Sequence, residues 1–318
     1  IADEGIRVQQ GWYDKNLHAL HVTLWLIQDY ESAHSDDECD IEAAMVQVNI
    51  WSDRDQNELK ERIKKMMKKN GFDVDIVNPD LSGQINVQEI LDKVRDDTFL
   101  VSVMHVNNET GIIQPVDRLG TELEKRNILF HVDATQSCGK LVDEIRNLKY
   151  DMLSFSAHKL RGPQGIGVLI LKKKKYKLPP VKQIMYGGQQ EHGIRPGTIP
   201  VALVAGCGKA CEIAEQEYME NAKKVKALKK ILIEMLNDSG VAFKFNGVQK
   251  YCVDSTANIC FPGVMSEALM LSCKQYCGIS NGSACTSKNY SPSYVLEAMG
   301  VPLEEIENSV RISWGADI

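Results

Sequence analysis

From residue 46 onward, short segments with strand-like alternation of apolar and polar residues are separated by segments with helical spacing. Residues 46–50 alternate with a period of two, whereas Leu59, Ile63 and Met67 recur at helical intervals among charged residues. Further strands are predicted at residues 74–76, 99–104, 128–132, 152–155 and 167–171, with helices at 85–94 and 120–125. Strands that alternate with helices predict a mostly parallel sheet covered by helices on both faces, which is an α/β fold.

The pattern changes after Pro200, where a long helical stretch covers residues 201–236 and is predicted to break near Asn221. Shorter segments follow at residues 241–245, 257–261, 267–271 and 291–299. We therefore predict two domains, a large domain over residues 1–212 and a small α+β domain over residues 213–318. Within the large domain, residues 1–45 follow no readable pattern, and their assignment stays open.

Composition restricts the class of protein. The chain has 318 residues, of which 43% are apolar and 25% charged, and these ordinary values exclude a disordered or collagen-like chain. A formal net charge of −6 argues against direct nucleic-acid binding. No apolar run approaches the roughly 20 residues that span a bilayer, so no membrane association is expected. The nine scattered cysteines favour a reducing cytoplasm over a secreted disulfide framework.

Two strand ends carry side chains suited to cofactor chemistry. Ser156, His158 and Lys159 follow the strand at 152–155 and precede a glycine-rich turn. A lysine in that place can form a Schiff base with an aldehyde cofactor, although an isolated lysine there is usually structural. Asp133 ends the preceding strand, where a carboxylate can pair with a pyridinium nitrogen or cap a helix.

Four further segments occur in a fixed order around these two strand ends. They read MHVNNETG at residues 104–111, YGGQQEHGIRPGT at 186–198, SNGSACTS at 280–287 and SVRIS at 309–313. Together with the Asp133 and Lys159 segments they resemble the pyridoxal-phosphate-dependent cysteine desulfurases of the NifS/IscS-like branch. The resemblance extends from about residue 46 to the C-terminus. It implies a fold-type-I transferase fold like that of aspartate aminotransferase, with a large sheet domain and a small α+β domain.

The resemblance also implies a role for each residue at a motif position. Lys159 would bind the cofactor and shuttle protons, while Cys285, as a thiolate, would attack the substrate sulfur and keep it as a persulfide. Arg311 would hold the substrate carboxylate with help from Asn108. The remaining implied cofactor contacts are Asp133, Gln136, Ser156, His158, Asn108 and the partner subunit's Thr198.

The implied reaction converts L-cysteine to L-alanine in a homodimer and passes sulfur to an acceptor protein. Iron–sulfur assembly, tRNA thiolation and DNA phosphorothioation are all served by this branch. Two alternatives stay open, a selenocysteine lyase and a degenerate homologue without pyridoxal phosphate that acts as a scaffold or sulfur carrier. No metal site is expected, because the Cys207/Cys211 and Cys273/Cys277 pairs have the helical spacing of small core residues rather than that of a zinc site.

The N-terminal region departs from the family pattern. The sequence has neither the Ala-Thr-Thr-Pro-like segment nor the Gly-Ala-Thr/Ser-Glu-Ser-like loop with which family members hold the cofactor phosphate. Asn57 stands where family members carry a histidine that stacks on the cofactor ring. An incomplete copy of an ordinary enzyme, a divergent N-terminus and a degenerate homologue would each explain this. We expect the first, because the motif residues after Asn70 are intact.

Overall fold

The computed structural model describes residues 7–8, 21–29, 44–51, 65, 68–69, 71–174, 177–181, 183, 185–282 and 292–317. Contacts between Cα atoms divide the chain into two compact units. The first consists of Ile1–Asp75 and Lys172–Val201, and the second of Ile76–Leu171 and Ala202–Ile318.

The first unit contains a three-stranded sheet. Its strands are β1 (Arg7–Val8), β2 (His21–Asp29) and β3 (Ala44–Trp51), in the order β1-β2-β3. β1 pairs with β2 in parallel, and β2 pairs with β3 in an antiparallel register. The strand predicted at residues 46–50 lies inside β3 and is confirmed. The helix predicted around Leu59 and Ile63 falls almost entirely outside the described residues.

The second unit contains the predicted α/β sheet. Its strands are β4 (Leu100–Met104), β5 (Leu129–Asp133), β6 (Met152–Ser156) and β7 (Gly167–Leu171), in the order β4-β5-β6-β7. β4, β5 and β6 pair in parallel, and β7 is antiparallel to β6. All four predicted strands are confirmed to within one residue at each end. Residues 74–76 form no strand, which overturns that prediction; Val74 and Ile76 are half-buried without a ladder partner among the described residues.

Three helices accompany the parallel strands. α1 (Val87–Lys93) precedes β4, whereas α2 (Val116–Lys125) connects β4 to β5 and α3 (Val142–Asn147) connects β5 to β6, as parallel pairing requires. The apolar side of α2 buries Leu119 and Leu123 completely in the cluster that also contains Phe130 and Val132 of β5. This apolar contact places one helix firmly against the sheet between β4 and β5.

The helix α2 begins four residues earlier than the pattern predicts, and Gly120 lies in its interior. A Cβ atom at Gly120 would lie 2.2 Å from the backbone oxygen of Lys149, so the helix and that segment approach more closely than any other residue would allow. A glycine inside a helix weakens the sequence signal, because it costs roughly 1 kcal/mol relative to alanine. Close packing therefore explains why residue 120 is a glycine and why the predicted helix begins four residues too late.

The rest of the second unit is built on a small antiparallel sheet. It consists of β8 (Lys244–Phe245), β9 (Thr256–Cys260) and β10 (Ser309–Ser313), with β9 in the middle. The helices of this part are α4 (Val201–Asp238), α5 (Ser266–Cys273), α6 (Tyr294–Ala298) and α7 (Leu303–Glu307). Buried side chains of α6, α7 and their connection form a separate apolar cluster.

The long helix α4 corrects one prediction and bears on another. It runs without interruption through Asn221, whose side-chain Nδ2 lies 3.5 Å from Glu217 Oε2 one turn earlier. An asparagine costs only a fraction of a kcal/mol in a helix, so the predicted break there is wrong. The predicted boundary between residues 212 and 213 falls inside this helix, and the division into those two domains stays a prediction. Within the described residues no helix combines the length and the apolarity that crossing a membrane demands.

The contact at Gly120 can be tested by adding a single methyl group. Gly120→Ala forces the new Cβ against the Lys149 carbonyl, and we expect the free energy of unfolding to fall by about 1–3 kcal/mol. Gly208→Ala is the matched control, because Gly208 lies in α4 with no atom within 4 Å of the place that a new Cβ would take, and it should gain up to about 1 kcal/mol. Urea unfolding followed by circular dichroism measures both. Equal stability of the two variants would contradict the close approach.

Candidate active site

The carboxyl ends of β4, β5 and β6 bring polar side chains to one edge of the parallel sheet. Asp133 ends β5, with Met104 of β4 and Ser154 of β6 as its register partners. The backbone continues this alignment, because His105 N donates to Asp133 O at 2.8 Å. The half-buried Asp133 carboxylate accepts from Thr135 N at 2.9 Å, which fixes its orientation. In open α/β sheets this edge is where ligands usually bind.

The lysine turn follows β6 at the same edge. Ala157–Leu160 forms a 3-10 helix in which Ala157 and Leu160 are buried, while His158 and Lys159 are exposed. Arg161 ends the turn with a φ of 63°, and Gly162 N donates back to Ala157 O at 2.9 Å. The apolar pair therefore holds the turn against the core and leaves the imidazole and the amine accessible.

Lys159 also lines a cavity of about 350 Å³ whose walls include Lys140, Arg161, Tyr218 and Trp314. Desolvation lowers the pKa of the Lys140 amine, and the positive charges of Lys159 and Arg161 lower it further. Arg161 is balanced by Asp317, whose Oδ1 lies 2.6 Å from Arg161 Nη2. The surroundings of Lys159 are thus rich in cations.

A second group of site residues is brought together by a turn after β4. Asn107 Oδ1 accepts from Glu109 N and Thr110 N, both at 2.9 Å, and so closes the turn. The backbone oxygen of Asn108 then accepts from Arg311 Nη1 at 2.8 Å. The structure therefore joins Asn108 and Arg311, two predicted site residues that are 203 positions apart. The role of Asn107 was not predicted, although asparagine is a recognised turn residue because its side chain can bond the backbone two residues later.

Backbone pairing holds Arg311 at the edge of the small sheet. Its amide donates to Ser280 O at 2.6 Å, and Ser280 N donates to Arg311 O at 3.1 Å. On the other side Arg311 is in register with Asn258 of β9. Since both neighbours fix the β10 backbone, the guanidinium group is presented from a rigid strand.

Two histidines near this edge of the sheet are structural. His131 bridges the three parallel strands, with Nδ1 at 2.8 Å from Ser102 Oγ and Nε2 at 3.1 Å from Ser154 Oγ. Burial lowers its pKa despite the opposing charge of Asp133. His105 is buried and its Nε2 lies 3.4 Å from Glu144 Oε2, but its Nδ1 has no hydrogen-bond partner among the described residues. Both ring nitrogens of His131 are therefore hydrogen-bonded, whereas only one ring nitrogen of His105 has a polar partner among the described residues.

The remaining predicted site residues are Gln136, Thr198 and Cys285. Gln136 is half-buried in the turn that follows β5. Thr198 is exposed and belongs to the first unit, so its predicted contact stays a prediction. Cys285 lies outside the described residues, although Gly282 before it and Pro292 after it are within them.

Several of the described thiols are poorly suited to act as nucleophiles. Burial, followed by the neighbouring Cys211 and Cys207, raises the pKa of Cys138 to about 12. Burial likewise raises the pKa values of Cys252 and Cys260. A thiol attacks as its thiolate, so these side chains are unreactive near neutral pH. Within the described part of the chain no group of three or more His, Cys, Asp or Glu side chains could hold a metal ion.

Comparisons with known proteins identify the family. The family model for class-V aminotransferases matches residues 56–317. This chain belongs to the class-V aminotransferase family. Cysteine desulfurase IscS from Pasteurella multocida (strain Pm70) is 42% identical over 253 residues, which are 79% of this chain and 61% of that protein. The chain thus spans about three fifths of the length of such curated relatives.

Solved structures place it in the NifS/IscS-like branch of the family. DndA from Streptomyces lividans is 34% identical with a TM-score of 0.70, over 83% of this chain and 73% of that one. A structure described as SspA in complex with cysteine is 31% identical with a TM-score of 0.65, over 82% and 71% of the two chains. The predicted fold-type-I fold and the resemblance to this branch are confirmed, and pyridoxal phosphate is the cofactor of the family.

The raised pKa of Cys138 gives a prediction for thiol labelling. With a pKa of about 12, only about one Cys138 side chain in 10⁴ is a thiolate at pH 8. We expect iodoacetamide to modify Cys138 at least about 100-fold more slowly than the exposed Cys277, with the Cys138 rate rising as the pH rises toward 12. Peptide mass spectrometry of the folded protein measures both rates. Comparable rates at pH 8 would contradict the burial of this thiol.

Proposed function

We propose that the full-length protein is a cysteine desulfurase that converts L-cysteine to L-alanine and retains the sulfur as a persulfide on Cys285. The observation that carries the proposal is the contact between Arg311 and Asn108 in the same unit as the strand-end pair Asp133 and Lys159. It supplies a carboxylate-binding cation beside a cofactor-binding edge. The similarity to IscS and to a cysteine-bound relative supports the same substrate.

The donor set at the sheet edge fits pyridoxal phosphate. Asp133, already oriented by Thr135 N, would accept from the ring nitrogen, and Gln136 would bond the ring hydroxyl. The exposed His158 and the hydroxyl of Ser156 would bind the phosphate. Lys159 would hold the aldehyde carbon and move the substrate proton. When bound, the cofactor supplies an electron sink at the substrate Cα.

Arg311 would recognise the substrate carboxylate. A guanidinium group offers a planar fork of donors that can bind both oxygens of a carboxylate. Its Nη1 is already held by the Asn108 carbonyl, so the plane of the fork is set before substrate arrives. The Asn108 side chain, on the same turn, would contact cofactor and substrate. Orientation before binding reduces the entropy lost when substrate docks.

Cys285 would carry out the sulfur step. Its thiolate attacks the sulfur of cysteine, so that an S–S bond forms while the substrate C–S bond breaks. The electron pair of that bond remains on the substrate carbon, which then takes a proton and leaves as alanine. The persulfide sulfur is passed to a thiol of an acceptor protein.

The proposal extends to assembly and location. The protein would act as a homodimer in which the partner subunit's Thr198 completes each site. The acceptor would serve iron–sulfur assembly, tRNA thiolation or DNA phosphorothioation. A cytoplasmic location agrees with the described cysteines, which are all free thiols.

The role of Lys159 can be tested by cofactor binding. Added pyridoxal phosphate should give the full-length protein a visible absorption band and a borohydride-stable adduct on the Lys159 peptide, because the amine condenses with the aldehyde. Lys159→Ala should lose both. Lys140→Ala is the control, since Lys140 lines the same cavity as Lys159 and should leave both signals in place. An adduct that persists in Lys159→Ala would show that Lys159 does not hold the cofactor. A wild-type protein without the absorption band would contradict the proposal that this protein is a pyridoxal-phosphate enzyme.

The role of Cys285 can be tested by turnover. Cys285→Ser should keep the absorption band and lose sulfide release from cysteine under reductant, because a hydroxyl cannot take up the sulfur. Cys277→Ser is the matched control, because Cys277 is an exposed thiol a few positions earlier in the chain and should retain turnover. Alanine and sulfide are measured in parallel. Full turnover by Cys285→Ser would exclude this residue as the nucleophile.

A further inference from the structure

Glu109 is an acidic side chain buried to 1% exposure in the second unit, and no motif assigns it a role. Its Oε2 accepts from Ser293 Oγ at 2.5 Å. The same oxygen would lie 3.7 Å from a Cβ atom placed on Gly282. One carboxylate therefore lies beside residues on both sides of residues 283–291, the segment that contains Cys285.

Ser293 uses its hydroxyl in two directions. It donates to Glu109, and it accepts from Leu296 N at 3.2 Å as the N-cap of α6. Glu297 N also donates to Ser293 O at 3.0 Å. Desolvation first and the Glu109 charge second raise the pKa of the adjoining Tyr294. The carboxylate is thus joined directly to the start of α6.

The backbone of Glu109 is fixed from the opposite direction by buried amides. Glu109 O accepts from Asn258 Nδ2 of β9 at 3.2 Å. Asn246 Nδ2 in turn donates to Asn258 Oδ1 and to Ser309 Oγ of β10, each at 2.8 Å. This chain of hydrogen bonds connects the turn after β4 to both neighbouring strands of the small sheet. The Glu109 carboxylate therefore projects from a rigid support.

That support is shared with the predicted substrate clamp. The residue before Glu109 is Asn108, whose carbonyl holds the guanidinium group of Arg311. One tight turn, closed by Asn107, thus bonds Arg311 through Asn108 and Ser293 through Glu109, with Gly282 nearby. Burying a carboxylate is unfavourable unless it is well hydrogen-bonded, so a buried Glu109 needs bonds such as the one from Ser293.

We infer that Glu109 is a positioning residue for sulfur transfer. Its carboxylate holds Ser293, which lies close to Gly282, at a set distance from the Asn108–Arg311 pair, and so fixes the start of α6, the chain position from which Cys285 must reach the substrate. The inference rests on the proposed function. Glu109 does not touch the reacting atoms; it acts through the residues that flank the nucleophile.

The test uses the full-length protein with added pyridoxal phosphate and four variants. Glu109→Ala removes the acceptor, whereas Glu109→Gln keeps an oxygen that can accept from Ser293. Ser293→Thr keeps both uses of the hydroxyl. Ser293→Asp is the matched control for capping, because it still accepts from Leu296 N but cannot donate to Glu109 when ionised. The Ser293 pair also keeps the test decisive if Glu109→Ala fails to fold.

Two readouts separate positioning from a merely structural role. In Glu109→Ala and Ser293→Asp we expect kcat for alanine formation to fall at least about tenfold, with KM for cysteine changed less than about threefold and the cofactor band unchanged. Glu109→Gln and Ser293→Thr should recover most of kcat. Hydrogen–deuterium exchange at residues 292–299 should speed up in the first two variants and stay near wild type in the other two.

The outcomes are distinguishable from failure of the proposed function. If wild-type protein forms no alanine from cysteine, the proposed function is wrong, and the exchange data still decide whether Glu109 holds the start of α6. Wild-type kcat in Ser293→Asp or Glu109→Ala would overturn the inference. Unchanged exchange at residues 292–299 in both variants would overturn it as well.

Discussion

Parallel pairing of β4, β5 and β6 is the constraint from which the site follows. In a parallel sheet the carboxyl ends of neighbouring strands meet at one edge, so Asp133 and the Lys159 turn reach it together although 26 residues separate them. His131, two residues before Asp133, links the three strands through hydrogen bonds to Ser102 and Ser154. A slip in register would separate the carboxylate from the lysine turn and would break these bonds at the same time.

The small sheet positions the other part of the proposed site by a different means. Arg311 is held by antiparallel pairing and then bonded to a carbonyl of the turn after β4. Buried asparagines extend the connection, since Asn258 bonds Glu109 O and Asn246 bonds Asn258. Each of these amides loses its water on burial and donates to protein groups through Nδ2, while Asn246 Oδ1 has no partner among the described residues. These bonds favour one arrangement of turn and strands. The position of Arg311 therefore depends on polar contacts as much as on apolar packing.

Local signals in the sequence agree with the structure. The strands of the large sheet lie within one residue of their predicted positions, because each is a short segment composed mainly of apolar residues. Predictions failed where packing overrides local preference. The glycine at position 120 lowers the helix propensity of α2, so its first residues were not predicted as helix, although the close approach of Lys149 requires a glycine there. The helix α4 continues through Asn221, because one unfavourable residue cannot end a helix of 38 residues. Glu109 lies within the motif segment at residues 104–111, but the motif does not indicate its role.

Residue types and their order established the fold class, the family and the identity of the chemical groups, because these depend on periodicity and on motifs that are contiguous in the chain. Which groups meet was settled by folding. Nothing in the spacing of Asn108 and Arg311 shows that a carbonyl and a guanidinium group lie 2.8 Å apart across 203 positions. The same holds for Glu109 and Ser293, which are 184 positions apart. Contacts of this kind arise from strand register and burial, which bring distant segments together at distances that a linear pattern does not encode.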